Sequence, residues 1–435
     1  MKKSTRSVVL ANGLSLALLS ACLLPSRGWG WGAPHGAITQ AALATLPEWQ
    51  KQLLGDELKP LGSLYCIIPD LVYTRKDLAP YAKMDSQPGV GYLKILHLPT
   101  TPSENYETLR YFLGKAVAAL KAGNVGDAAR YSGTLAHALE DWGCPAHVVP
   151  GDNMFTLFQQ FLPPPPAQQY TLLHGPVENG AFALRLDAPP RLLGTSVDEA
   201  AFNLLRRAQG ATINARSQVI PIIQALYAGD TNAVNAGQLK AATLDAAVVA
   251  DALHTVCCLG QQKFIAEPAL AAIDLSALFP LQAPDLYFPQ PSFFSKPYWG
   301  HATPGVILRN GTEPVPLQLQ VLEQGQVATK TFDSGIGTGT RSVLTYLIPA
   351  NVYARFTAQV GLQAELGKCG NVTFEVSGND KPLVRIGPVT GGQPAQTLDV
   401  ALAGVTNLQL TVTSASGDGT GNYAVWANPR LQKAP

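Results

Sequence analysis

Leu135-Ala-His-Ala-Leu-Glu-Asp-Trp-Gly-Cys-Pro-Ala-His147 spaces three side chains as His-x3-Asp-x5-His: His137, Asp141 and His147. The run leading into it, Asp127 to Leu139, is rich in Ala and Leu and lacks proline, so it predicts a helix. Residues four apart share a helix face, and His137 and Asp141 therefore point the same way. Gly143 and Pro145 end the helix, and the turn lets His147 approach from another side. Two imidazoles and a carboxylate delivered in this way suit a divalent ion, above all zinc. The alternative for the bare His-x3-Asp pair is a solvated or capped helix edge.

On the N-terminal side, Lys2, Lys3 and Arg6 precede an apolar stretch, Val8 to Leu24, which reads as a secretory leader over residues 1–28. Inside it, Leu19-Ser-Ala-Cys22 has the form of a lipobox, which would make a lipidated Cys22 the first residue and a membrane anchor. Cleavage after Gly28 instead would leave Trp29 first. Export follows from either, to the medium, the periplasm or the cell envelope. Beyond the leader no stretch reads as a membrane span. The 435 residues leave room for two cores, and a net charge of +1 with no basic run gives no electrostatic grip on long double-stranded nucleic acid. Without Cys22, the five cysteines Cys66, Cys144, Cys257, Cys258 and Cys369 are odd in number, which rules out a fully paired framework. Cys144 sits between ligand candidates, but no base is placed to activate it.

Gly28-Trp-Gly-Trp-Gly-Ala-Pro-His35 leads into a helical pattern from Ile38 to Trp49, bracketed by Thr39 and Pro47. His35 alone reads as a turn residue or a ligand. Asp70, in Ile67-Ile-Pro-Asp-Leu-Val-Tyr73, is a carboxylate among apolar residues and is either a cap or a functional acid. His97 is likewise flanked by hydrophobes, and Glu104 to Ala122 is an amphipathic helix ending at Gly123. Past His147, Pro163 to Pro166 make a stiff connector before His174-Gly-Pro-Val-Glu178. Pro176 prefers the first helical position, which leaves His174 just outside the helix and Glu178 in its first turn. Two more helical runs, Glu199 to Ala225 and Gln238 to Ile265, read as packing elements, with His254 a core or interface histidine.

Composition changes at Leu275 to Pro304, where prolines and aromatics crowd together in a linker that includes His301, read as neutral surface. Beyond it, stretches such as Val315 to Leu322, Ala354 to Val360, Val372 to Val376 and Leu408 to Thr413 alternate apolar with polar, separated by Gly, Asn and Asp turns. That pattern predicts a β-sandwich. The chain thus divides into a helical domain over 29–270, a linker over 271–304 and an all-β domain over 305–435.

The order of residues in the first domain resembles the zinc-dependent phospholipases C and the related fungal-type single-strand nucleases, which are all-helical, secreted phosphodiesterases with up to three zinc ions. Their pattern is an N-terminal Trp shortly before a His, a lone Asp, a lone His, His-x3-Asp-x5-His, and finally His-x3-Glu or His-x3-Asp. This sequence offers Trp29 or Trp31 with His35, then Asp70, His97, His137, Asp141, His147, His174 and Glu178. The resemblance implies that His97, His137 and Asp141 hold one zinc, with Asp141 bridging. His147, His174 and Glu178 hold a second, and His35 a third together with the amine and carbonyl of an N-terminal tryptophan. Asp70 orients or deprotonates the attacking water. A Cys22 terminus would leave no tryptophan amine for the third ion, and Pro176 departs from the regular His-x3-Glu helix.

The second domain resembles the NPCBM family of carbohydrate-binding modules, with a galactose-binding-like jelly roll. The resemblance is carried by Gly335-Ile-Gly-Thr-Gly-Thr340, Tyr353 to Gly361, Gly370 to Val376 and Tyr423 to Leu431, with Gly339 standing where family members often carry a His. It implies a cell-surface glycan partner; the alternative is a sandwich that only supports the enzyme. Taken together, the resemblances imply an exported phospholipase C acting on the glycerol–phosphate bond of phospholipids. A single-strand nuclease of the same superfamily and a non-catalytic glycan-binding surface protein are the alternatives.

Overall fold

Capped helix starts set the framework of the computed structural model, which describes residues 34–85, 91–148, 175–178, 180, 183–278 and 302–434. Among the described residues the helices are α1 (Pro34–Ala44), α2 (Glu48–Leu54), α3 (Leu58–Leu61), α4 (Ile68–Leu71), α5 (Gly91–His97), α6 (Pro102–Lys121), α7 (Val125–Trp142), α8 (Gly175–Glu178), α9 (Val197–Ala228) and α10 (Thr231–Gln261). Thr101 and Glu104 form a capping box on α6, satisfying two of the amide groups that a helix start leaves bare. Asn124, Ser196 and Asp230 accept from the third amide of α7, α9 and α10. Gly229, at φ 68°, and the Asp230 cap turn α9 directly into α10.

Two helical expectations shift. The pattern read as one helix from Ile38 to Trp49 is two, because Pro47 has no amide with which to continue the first, which ends at Ala44. The first of them begins at Pro34, so His35 stands in its opening turn rather than in a lead-in turn. The last helix starts seven residues earlier than Gln238 because Asp230 supplies a cap, and it stops at Gln261. By length and composition α10 is apolar enough to cross a membrane, yet 83% of that apolar window is buried inside the protein. It is the core helix of the domain.

The second region is built from β1 (Ala272–Asp274), β2 (Thr303–Pro304), β3 (Val306–Arg309), β4 (Glu313–Glu323), β5 (Gln326–Phe332), β6 (Gly335–Thr338), β7 (Ser342–Leu347), β8 (Arg355–Leu362), β9 (Asn371–Gly378), β10 (Lys381–Thr390), β11 (Gln396–Ala401), β12 (Asn407–Ser414) and β13 (Ala424–Gln432). One sheet runs β11-β8-β13-β6-β2, a second β10-β9-β12-β7, and a third β3-β4-β5. The inward residues of the first two meet around the fully buried Trp426, whose ring is edge-on to Phe374 at 5.1 Å across the sandwich. The alternation read from the sequence is therefore the alternation between core and solvent.

β1 lies inside the stretch read as linker. It pairs antiparallel with β13, Ala272 opposite Gln432 and Asp274 opposite Arg430, beyond the point where β6 ends opposite Ala427. The chain thus enters the sandwich before reaching 279–301, a segment that lies outside the described residues together with His301, the leader and Pro163 to Pro166. The two regions meet where the Lys433 ammonium reaches Glu199 on α9 at 2.6 Å and Phe202 packs edge-on against Tyr353.

Candidate metal centre

The site grows from α7. Gly133, one turn before His137, lets this helix press against the backbone at Tyr65, where a β-carbon would come within 2.4 Å of the carbonyl carbon. That approach brings the Cys66 carbonyl to 2.9 Å from His137 Nδ1. The ring then turns its Nε2 to Asp141, 3.2 Å from Oδ2. From α1, the His35 ring stacks on His137 with centroids 4.4 Å apart. Its Nε2 lies 3.2 Å from Asp141 Oδ1, and its Nδ1 is 2.5 Å from Glu140 Oε2. His97 closes α5 with Nδ1 2.8 Å from Asp141 Oδ2 and 3.2 Å from His137 Nε2. Trp142 Nε1 donates to the Ile95 carbonyl at 3.0 Å, tying α5 to α7. Asp70, on α4, brings Oδ1 to 4.0 Å from His137 Nε2; this buried oxygen has no hydrogen-bond partner among the described residues.

These separations fit a cation. Two ligand atoms on a four-coordinate zinc with bonds of 2.0–2.1 Å stand about 3.3 Å apart, close to the spacings between His35, His97, His137 and Asp141. The ligating atoms of His35, His137 and Asp141 all lie within 4.8 Å of one another, as do those of Asp70, His97 and His137. His137 belongs to both groups, and one nitrogen lone pair binds one ion. Asp141 turns one oxygen to His35 and the other to His97 and His137, the posture of a bridging carboxylate.

The electrostatics point the same way. Asp141 is wholly buried. Burial alone would lift its pKa, but His137, His147 and His35 outweigh it and hold the carboxyl well below its usual range. Burial would also lower His35, yet Asp141 and Glu140 raise it well above its ordinary value. Glu140 is raised, chiefly by burial. At His35 a proton thus takes the place of the positive charge that a bound cation would supply.

A second pair lies alongside. After the helix ends at Trp142, the turn returns the chain so that the His147 amide donates to the Cys144 carbonyl, and His147 Nε2 comes 3.8 Å from Glu178 Oε1, both residues buried. Gln238 of α10 donates to the Val177 carbonyl at 2.7 Å and holds α8 in place. His174, Trp29 and Trp31 lie outside the described residues. Burial, Glu178 and Asp141 push the Cys144 thiol well above its ordinary pKa.

Three participants escaped the sequence reading. Glu140 stood in the quoted stretch as a charge in an Ala/Leu helix, the same signal that marked Asp70. Asp245 of α10 is fully buried against Gly143, where a β-carbon would fall 1.7 Å from Oδ1. The Cys66 carbonyl is a backbone group, which no side-chain pattern announces. His254, as expected, is a core histidine, with Nδ1 2.9 Å from Gln50 Nε2.

In the sandwich, a cavity of about 440 Å³ opens at the rim between Gly337–Thr340 and Asp418–Tyr423, with Thr303, Ile307 and Leu308 on its far wall. Asn422 Nδ2 donates to Thr340 Oγ1 and to the Asp418 carbonyl, joining the two loops.

Residues 299–432 match the family model described as NPCBM/NEW2 domain, so the sandwich is a domain of that kind. No curated protein matches the chain. Among solved structures, it is similar to CBM51 from Clostridium perfringens GH95 in complex with methyl-galactose, at 22% identity and a TM-score of 0.31, over 37% of this chain and 99% of that one. It is also similar to the alpha-toxin of an avian Clostridium perfringens strain, at 11% identity and a TM-score of 0.30, over 91% of this chain and 88% of that one. The alpha toxin from Clostridium absonum is similar at 13% identity and a TM-score of 0.30, over 86% of this chain and 82% of that one.

Proposed function

We propose that this chain is an exported, zinc-dependent phosphodiesterase of the phospholipase C type, which hydrolyses the glycerol–phosphate bond of phospholipids. One observation carries the reading: imidazoles and carboxylates from four separate helices, His35 and Asp141 being 106 residues apart in sequence (141 − 35), converge within ligand spacing in the interior. Side chains of this charge gather in an interior only when something repays their desolvation. Zinc bound here would lower the pKa of a water to about 7 and draw charge from phosphoryl oxygens. His97, His137 and Asp141 would hold one ion, the His147–Glu178 pair, with His174, a second, and His35 a third to which Asp141 would bridge.

Asp70 is the acid suited to the attacking water. Its Oδ1 has no hydrogen-bond partner among the described residues, while its side chain is 17% exposed where Asp141 is closed off. From that edge it can accept a water proton and aim the lone pair at phosphorus. The near-neutral charge of the chain supports a lipid over a nucleic-acid substrate. The rim cavity of the sandwich is the place where a cell-surface sugar would bind, and Gly339 leaves it without the His often found in the family.

The test is metal analysis of the purified protein, with parallel turnover of phosphatidylcholine and single-stranded DNA. Bound zinc with lipid turnover supports the proposal. DNA turnover without lipid turnover replaces it with the nuclease, and bound metal with neither activity replaces it with a binding protein.

A further inference from the structure

The geometry points to Glu140 as the residue that prepares His35 for the metal: we propose that its carboxylate fixes the imidazole by Nδ1 and so reserves Nε2 for the ion beside Asp141. The inference rests on the zinc reading above and adds to it a residue that belongs to no ligand set. Glu140 is wholly buried on α7, next in sequence to Asp141. A helix turns about 100° per residue, so Asp141 faces His137 while Glu140 faces the back of His35 on α1. Both Glu140 oxygens are engaged: Oε2 lies 2.5 Å from His35 Nδ1, and Oε1 accepts from Thr39 Oγ1 at 2.5 Å. Thr39 stands four residues after His35, on the same face of α1, and is itself fully buried.

The neighbouring imidazole is held by the same logic with a weaker partner. His137 Nδ1 meets the Cys66 carbonyl at 2.9 Å, and Nε2 faces Asp141. The two stacked rings therefore present the same nitrogen to the same carboxylate, each fixed from behind. An acceptor on one ring nitrogen keeps the proton there and leaves the other with a lone pair, and a carboxylate also makes that lone pair more basic. Glu140 does this for His35 with a carboxyl group, where His137 has only a backbone carbonyl.

Glu140→Gln tests it with almost no change of shape. With Thr39 donating to the amide oxygen, the amide nitrogen would face His35 Nδ1 and donate to it, driving the ring proton to Nε2. Zinc affinity, measured by competition with a chelator, should fall about 10–100-fold, and zinc per chain should drop at a free-zinc level that keeps the wild type full. Thr39→Val, which removes the hydroxyl that aims the carboxylate, should give a smaller loss. In the zinc-loaded wild type, ¹⁵N shifts of histidine-labelled protein should show His35 protonated at Nδ1 and metal-bound through Nε2; this measurement stands even if the Gln variant does not fold. Wild-type zinc affinity in Glu140→Gln, or His35 bound through Nδ1, would overturn the role of Glu140 and leave the zinc reading intact. A wild type that holds no zinc would sink both.

Discussion

The helical region and the sandwich bury apolar surface alike but treat polar groups in opposite ways. Around Trp426 the sandwich interior is mostly hydrocarbon and aromatic, and its cavity is lined by the loop residues Thr340, Asp418 and Asn422, of which Asp418 is exposed. The helical interior encloses Asp141, Glu140, His35 and His137 at 1% exposure or less. A strand offers only alternate residues inward and can leave its polar ones outside. Helices packed in several directions can each turn one chemically active residue to a common point. The difference teaches where reactive chemistry and recognition can each be housed: the first needs a dry, enclosed set of partners, the second an open edge.

The contrast is broken most directly at Asp141. Asp141→Asn should reduce phosphodiester turnover by more than the roughly 100-fold that a supporting residue costs, with loss of bound zinc and no change in sugar binding by the sandwich. Turnover and metal content together measure it, and retention of both would remove the enclosed site from the argument. Trp426→Ala should cost about 3–5 kcal/mol of stability, read by denaturant unfolding, while zinc affinity stays as in the wild type.

Smaller changes sharpen the comparison. Gly133→Ala should cost about 1–3 kcal/mol, because the added carbon meets backbone at Tyr65 rather than a movable side chain. It should also weaken zinc binding by shifting the Cys66 carbonyl from His137; a destabilised variant with undiminished zinc affinity would separate fold from site. The smallest effect concerns acid. Burial holds the His254 pKa below its ordinary 6.5, so below that pH the unfolded chain takes up a proton that the fold refuses. Stability is whole above pH 6.5 and declines as pH falls through it. His254→Gln should flatten part of that decline, seen as a smaller gap between unfolding free energies below and above pH 6.5. His254 stands on α10, so this part of the acid response should appear in the helical region.

Much of this was readable from neighbours in sequence. His137 and Asp141 share a helix face because four residues make about one turn, and the strands declared themselves by alternation. Glu140 was not readable: its role depends on α1, whose His35 lies 105 residues away. β1 was hidden as well, since three residues carry no period and acquire strand form only from their pairing with β13.

By itself the sequence determined the two fold classes, the helix that carries the central pair and the order of the ligand candidates, all properties of spacing within one element. Only the tertiary structure decided which nitrogen of each imidazole faces Asp141, that Glu140 stands behind His35, and that Asp245 fills the space Gly143 leaves. Those are contacts between elements far apart in the chain, and their geometry is set by how helices pack, which no local pattern encodes.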